Sequence, residues 1–114
     1  MQLTDIDGVF SHGIHCGIKP TNQLDLAYIY VPQCVGSGIV LSQNLIRSET
    51  LNHNQTVFAN GLVKLMVINS GNANSATGKL GIEHVQQTVK KASDCFNCKP
   101  TEIGVASTGI IGVP

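Results

Sequence analysis

The chain has 114 residues, of which 42% are hydrophobic, 4% are aromatic and only 12% are charged. This length suits one small domain, since a chain of this size buries about two-thirds of its unfolded surface. Seven basic residues cancel seven acidic ones, so no strong field attracts nucleic acid or an anionic membrane, and we expect neither as a partner. The low charge also suggests that much of the surface is covered, either by a larger assembly or by a missing remainder of the protein.

The amino-terminal residues lack the basic start and apolar stretch of a signal peptide. The longest strongly apolar run, 26–31, is far too short to span a bilayer. We therefore expect a cytoplasmic protein whose four cysteines are thiols rather than disulfides.

The first half of the chain predicts short strands separated by turns. Glycines space out the first segment, which has weak strand character, and 19–22 is typical of a turn. Two apolar runs, 24–31 and 37–41, predict strands, the first of which ends at a proline. The polar stretch 42–61 predicts at most a short helix around Leu45.

The second half has a sharper pattern. The nearly continuous apolar run 62–68 predicts a strand covered on both faces, and the small polar residues 69–78 predict a loop. A helix with a sheet-packing face follows, because apolar residues recur at intervals of three and four at Ile82, Val85, Val89, Ala92 and Phe96. Lys99-Pro100 ends the helix, and 103–106 predicts another strand.

The order strand, loop, helix, strand, loop predicts an α/β fold. If the two strands are parallel neighbours, the unit is a right-handed crossover and both loops lie at one edge of the sheet. Ligands usually bind at that edge. The loops there are NSGNAN (69–74) and Ser107-Thr108-Gly109.

NSGNAN does not have the spacing of a phosphate-binding loop, because Ala73 stands where the first glycine should be and Leu80 follows Lys79. Its asparagines can instead brace a loop by bonding nearby backbone groups. An ordinary polar connection explains the same composition. We interpret Asn69, Gly71, Asn72 and Asn74 as supporting residues at the edge of a site.

Ser107-Thr108-Gly109 follows a buried strand, where a hydroxyl and a glycine N–H can point to one spot. Such donors stabilise a developing oxyanion, and loss of one costs roughly 100- to 1,000-fold in rate. An ordinary strand-to-turn junction is the alternative interpretation of this tripeptide.

Other chemistry-bearing residues give weaker signals. Cys95 and Cys98 have the spacing of half a zinc motif, but no second CxxC or HxxxH is present. We interpret Cys95 as a core-facing helix residue and Cys98 as a residue of the helix exit. His53 and His84 have no acid or nucleophile beside them in sequence, which favours satisfied polar residues over catalytic bases.

Taken together, NSGNAN and VASTGIIG (105–112), separated by one amphipathic helix, resemble the ornithine acetyltransferase family of arginine biosynthesis. GIHCGIKP (13–20) before LDLAYIYV (24–31), and GIVLSQN (38–44), are similar to that family's entry segment and next strand. The likeness is strongest over 63–112. SET (48–50) departs from the small Ala-Ala-Pro that is common in the family.

The resemblance implies a layered α/β sandwich of the self-cleaving type, with 1–114 as a single partial domain, the amino-terminal portion of the α chain. It implies autocatalytic cleavage before a threonine, which then carries acetyl from N-acetylornithine to glutamate. Thr108, through its hydroxyl, and Gly109, through its N–H, would form the oxyanion hole. The nucleophilic threonine has no match in the chain, so we expect the chain alone to be inactive.

The resemblance further implies a β chain from the same precursor as partner, in a hetero-oligomer of α and β chains. It implies no cofactor and no metal, with acetyl-coenzyme A as an alternative donor in a multifunctional enzyme. The missing nucleophile leaves a second interpretation open, a non-catalytic binding or scaffolding module of the same fold. A small zinc domain built on Cys95 and Cys98 is a third.

Overall fold

The fold was determined as a computed structural model, which describes residues 2–19, 23–41, 49–59, 61–72 and 78–110. Its centre is a four-stranded sheet in which the strands are arranged in the order of the sequence. β1 pairs with β2, and β2 with β3, in antiparallel fashion, whereas β3 and β4 are parallel. The strands are β1 (Phe10–Ile14), β2 (Leu26–Tyr30), β3 (Leu65–Asn72) and β4 (Ile103–Ile110).

Two α-helices accompany the sheet, α1 (Glu49–Phe58) and α2 (Gly78–Phe96), together with two single turns of 3-10 helix, Leu3–Asp5 and Pro100–Glu102. α2 connects β3 to β4, which confirms the predicted strand–helix–strand unit with parallel strands. Within the described ranges, no helix is long and apolar enough to cross a membrane.

The core lies between α2 and the middle of the sheet. Ile103 and Leu65 are its most buried large side chains, at 0% and 1% exposure. One face of α2 packs on them through the side chains of Val85, Val89 and Ala92, as its periodicity predicts. Phe96 extends this face by packing edge-on against Tyr28 and Tyr30 of β2.

The prediction that Ile82 belongs to the packed face of α2 is wrong. Ile82 is 42% exposed, whereas Gly81, one position earlier, is buried. Ile82 lies at the margin of the apolar stripe, where rotation of 100° per residue carries a side chain out of the interface. The core-facing interpretation of Cys95 is also wrong, because Cys95 is exposed, whereas Cys98 beyond the helix is buried.

The boundaries of β3 and β4 correct two further predictions. Residues 69–72 continue β3 rather than forming a loop, and residues 107–110 continue β4. Each extension is the ladder partner of the other, so hydrogen bonding between them overrides the turn-forming composition of both. The sequence pattern within one segment does not reveal that it will pair with another segment.

The first half of the chain fits its predictions in part. β1 and β2 confirm the strands expected in the first 31 residues. Residues 37–41 are wrong as a strand: they have no regular structure and pair with none of the four strands, and Val40 is 98% exposed. The helix expected around Leu45 and most of the turn at 19–22 fall outside the described residues, while α1 begins later in the same polar stretch.

An ion pair lies at the amino ends of the two parallel strands. Lys64 Nζ is 3.1 Å from Glu102 Oε2, and the Lys64 N–H donates to the Glu102 carbonyl oxygen at 2.8 Å. The hydrogen bond with Glu102 raises the pKa of Lys64. The amino ends of β3 and β4 are thus joined by charge, and the motif residues occupy the carboxyl ends.

Candidate functional site

The two motifs singled out in the sequence lie side by side in the sheet. In the parallel ladder, Asn69 pairs with Ser107, Ser70 with Thr108, Gly71 with Gly109, and Asn72 with Ile110. The Ser107 hydroxyl donates a hydrogen bond to Asn69 Oδ1. This bond joins the strands through side chains, just before Thr108 and Gly109. Asn74 lies outside the described residues.

A buried side chain of α1 fixes β4 from its outer edge. Asn54 Nδ2 donates to the Val105 carbonyl oxygen at 2.7 Å, and the Val105 N–H donates to Asn54 Oδ1 at 2.9 Å. Asn54 is only 4% exposed. His53 Nε2 lies 2.8 Å from the Ile103 carbonyl oxygen, so its imidazole is a satisfied polar group, as predicted. Both contacts meet the strand edge that faces away from β3.

These contacts determine where the later backbone groups of β4 point. The N–H and C=O groups of successive residues in a strand point alternately to its two sides. Since those of Val105 point away from β3, those of Ser107 and Gly109 do so as well, along the outer edge of the sheet. The Thr108 side chain is exposed. This edge therefore presents the Gly109 N–H, with the exposed side chain of Thr108 one residue before it.

A second buried polar residue, Asp25, organises the loop between β1 and β2. It is 2% exposed, and its carboxylate accepts backbone N–H bonds from Cys16 at 2.7 Å, Ile18 at 2.8 Å and Lys19 at 3.0 Å. His15 Nδ1 lies 3.5 Å from Asp25 Oδ2. These donors, that of Lys19 first, hold the pKa of Asp25 well below its usual range. Asp25 is thus a buried anion that holds the loop through hydrogen bonds from the loop's backbone N–H groups.

This loop packs on β3 beside the candidate site. Gly71 has φ = +99°, a conformation that favours glycine. A Cβ atom at Gly71 would lie 2.8 Å from Ile18 Cγ2 and 3.1 Å from Lys19 Cγ. The absence of a side chain at Gly71 therefore lets the loop approach the strand next to Gly109.

Sequence reasoning missed Asn54 and Asp25 as organisers of the site. Asn54 occurs in a polar stretch that looks like a loop, and Asp25 occurs within an apolar run. A single acid inside such a run is a usable signal, because a carboxylate is rarely buried without partners. Nothing comparable marks Asn54, because its partner Val105 is 51 residues away.

Two of the four cysteines, Cys16 and Cys98, lie in surroundings that disfavour a reactive thiolate. Burial raises the pKa of the Cys98 thiol, and desolvation followed by a hydrogen bond with Asp25 raises that of Cys16. A raised pKa leaves less thiolate, which is the nucleophilic form. Among the residues described, no group of three or more His, Cys, Asp or Glu side chains is placed to hold a metal ion.

Solved structures share this fold, among them the following two. Over 97% of this chain, the crystal structure of arginine biosynthesis bifunctional protein ArgJ from Bacillus halodurans has a TM-score of 0.92 at 30% identity, and the match covers 58% of that chain. Ornithine acetyltransferase from Mycobacterium tuberculosis, solved in complex with ornithine, has a TM-score of 0.86 at 27% identity, with 61% of that chain covered. The chain therefore has the α/β fold of ornithine acetyltransferase structures.

The sequence agrees with the fold. The ArgJ family model matches residues 10–114, and the chain belongs to the ArgJ family. It is 36% identical over 113 residues to arginine biosynthesis bifunctional protein ArgJ from Gloeobacter violaceus, and 33% identical over 115 residues to the protein of that name from Streptomyces avermitilis. These matches span 98% and 99% of this chain but only 28% and 30% of the relatives.

Proposed function

We propose that this chain is part of a glutamate N-acetyltransferase of arginine biosynthesis, and that Thr108 and Gly109 supply its oxyanion hole. The enzyme moves acetyl from N-acetylornithine to glutamate through an acyl-threonine intermediate. One observation carries the proposal: the two family motifs are paired in register at the carboxyl ends of β3 and β4, with the Gly109 N–H directed to the outer edge.

The chemistry explains why these donors are needed. The hydroxyl oxygen of the nucleophilic threonine attacks the acetyl carbonyl carbon of N-acetylornithine, and the carbonyl oxygen becomes an oxyanion. Collapse breaks the C–N bond, the ornithine nitrogen takes a proton, and the acetyl group remains as a threonine ester. The glutamate amine then attacks the ester, the C–O bond to the threonine breaks, the threonine oxygen takes the amine proton, and N-acetylglutamate leaves. Each addition places negative charge on the same oxygen, which fixed donors stabilise.

The packing around Thr108 and Gly109 supports preorganised donors. The side-chain bond between Ser107 and Asn69 joins the strands immediately before the site, and Asn54 fixes the strand at Val105. Donors held in place before the reaction need little reorganisation as charge develops. Because the ester oxygen belongs to the protein, the transfer needs no cofactor; acetyl-coenzyme A remains an alternative donor for the same ester.

The nucleophile belongs to a second chain in this proposal. The Bacillus halodurans match covers 58% of the solved chain, whereas the Gloeobacter violaceus match covers 28% of the full-length relative. A solved chain about half as long as a full-length relative supports a precursor that is cut into two chains. The α chain would then supply the oxyanion donors, and the β chain the threonine in an assembly of both.

The test uses the full-length precursor that contains this chain. We expect self-cleavage into two chains and acetyl transfer from N-acetylornithine to glutamate; absence of both would refute the proposal and favour a non-catalytic module of the same fold. Acetyl-coenzyme A assayed in place of N-acetylornithine determines whether a second donor is used.

Thr108→Ala tests the oxyanion assignment in the same precursor. We expect the acyl step to slow by at least about tenfold, because one donor to the oxyanion is lost. Thr108→Ser retains the hydroxyl and should retain most of the rate. The matched control is Thr101→Ala at another exposed threonine, which should leave the rate unchanged. Equal rates for Thr108→Ala and the control would refute the assignment.

A further inference from the structure

Lys19 lies next to the strand pair that carries the proposed oxyanion hole. The contact is with Gly71, where a Cβ atom would lie 3.1 Å from Lys19 Cγ. Gly71 is the ladder partner of Gly109, and paired parallel strands are only about 4.8 Å apart. The Lys19 side chain thus starts about one strand spacing from the backbone of Gly109, with three further bonds of reach to its ammonium group.

The backbone of Lys19 is fixed, whereas its charge has no fixed partner in the described structure. Its N–H donates to Asp25 Oδ2 at 3.0 Å, and the same oxygen also accepts from Ile18. Across the described ranges, ion pairs link Lys64 to Glu102 and His15 to Asp25, and none involves Lys19. Lys19 is half-buried. A half-buried cation on a fixed loop is suited to an anionic ligand.

The two substrates of the proposed reaction share one anionic group near the reacting atoms. Glutamate has a single amine, so the nitrogen that receives the acetyl group is bonded to the carbon that bears the α-carboxylate. A site that holds the acetyl carbonyl at Gly109 therefore holds that carboxylate a few bonds away. N-acetylornithine carries an α-carboxylate as well, so one cation can serve both half-reactions.

We propose that the Lys19 ammonium group binds the α-carboxylate of the amino-acid substrates and so selects α-amino acids for acetyl transfer. This inference rests on the proposed function. It assigns Lys19 to substrate binding and not to a step of bond making. Lysine suits this task because its ammonium is a compact charge on a flexible stem.

The experiment compares Lys19→Gln with wild type in the full-length precursor, using three acetyl acceptors. Glutamate has both carboxylates, glutamine retains only the α-carboxylate, and isoglutamine retains only the side-chain carboxylate. We expect Lys19→Gln to lower kcat/KM at least about tenfold for glutamate and glutamine, mainly through KM, because a hydrogen bond to a charged group is lost. For isoglutamine the change should stay below about threefold, since the α-carboxylate is already absent.

Controls separate binding from folding. Lys19→Arg keeps the charge and should recover part of the lost kcat/KM, and Lys91→Gln changes an exposed lysine of α2 and should have no effect. Self-cleavage and the thermal midpoint of Lys19→Gln should match wild type, because the backbone bond to Asp25 remains. Where isoglutamine turns over too slowly, its inhibition constant against glutamate serves as the measurement.

Three outcomes with an active wild-type enzyme would overturn the inference and leave the proposed function standing. An equal loss with all three acceptors would make Lys19 merely structural, and a loss confined to glutamate and isoglutamine would place it at the side-chain carboxylate. Unchanged kinetics in an active enzyme would refute the role of Lys19 alone. Absence of transfer by wild type would instead refute the proposed function together with this inference.

Discussion

The β3–α2–β4 unit and the amino-terminal hairpin of β1 and β2 are stabilised by different interactions. In the β3–α2–β4 unit, apolar side chains from both strands and one helix face are buried together around Leu65 and Ile103. In the hairpin, residues 16–19 are held by backbone bonds to the carboxylate of Asp25. Apolar contact is non-directional, whereas hydrogen bonds to a carboxylate require a defined geometry.

This difference matches the proposed division of labour. The β3–α2–β4 unit supplies β4, which carries Thr108 and Gly109 paired with β3. The hairpin loop supplies Lys19, which must be placed accurately but must leave its charge available to a ligand. Substitutions in the two units should therefore differ in how much stability they remove and in how that loss depends on pH.

The largest effect is expected in the apolar core. Ile103→Ala should lower the free energy of unfolding by about 2–5 kcal/mol, because it removes buried methyl groups and leaves a cavity. The control is Ile82→Ala, at an isoleucine that is 42% exposed, and should change stability by less than about 0.5 kcal/mol. Urea unfolding measures both. Equal losses would contradict the placement of the core.

A smaller loss, with a distinct pH dependence, is expected for Asp25→Asn. Because the pKa of Asp25 is lower in the folded state than in the unfolded chain, its contribution is fully present above about pH 4 and is lost as the pH falls. The stability difference between wild type and Asp25→Asn should therefore stay constant from about pH 5 to about pH 8. It should shrink as the pH falls below about 4.

Thermal unfolding at a series of pH values measures this difference. The control Asp94→Asn replaces an exposed carboxylate of α2 and should give almost no difference at any of these pH values. A difference for Asp25→Asn that grows as the pH falls below 4 would contradict the buried-anion assignment.

The smallest of the three losses is expected for Asn54→Ala, which leaves the N–H and C=O of Val105 without their side-chain partner. The free energy of unfolding should fall by about 1–3 kcal/mol, the cost of unsatisfied buried polar groups. Asn52→Ala, on the exposed side of the same helix, is the control. Hydrogen exchange of the Val105 amide should also quicken in Asn54→Ala relative to wild type. Unchanged exchange would contradict the proposed fixing of β4 by α1.

The sequence predicts the β3–α2–β4 unit well because its determinants are local. The apolar run before NSGNAN and the stripe of α2 define a strand and a helix without reference to the rest of the chain. The predicted carboxyl ends of β3 and β4 are wrong because residues 69–72 and 107–110 become extended by pairing with each other. The prediction for Ile82 is wrong because the periodicity indicates which side of α2 faces the sheet but not how wide the buried stripe is.

The candidate site was predictable only where a motif marks it. Thr108, Gly109 and the asparagines were found by their pattern, and their roles remain proposals. Asn54 and Lys19 contact distant segments, Val105 and Gly71 respectively, whereas Asp25 binds the backbone of the nearby residues 16–19. A single sequence records the residues in such contacts but not which ones meet.

The outer edge of β4 also bears on strand addition by another chain. An exposed strand edge is a template on which another chain can add a strand. In the described structure, α1 occupies this edge at Ile103 and Val105 through His53 and Asn54. Beyond Val105, the described part of β4 continues to Ile110. In this described stretch, Ser107 and Gly109 direct their N–H groups outward, so the edge offers donors to a small ligand at two positions.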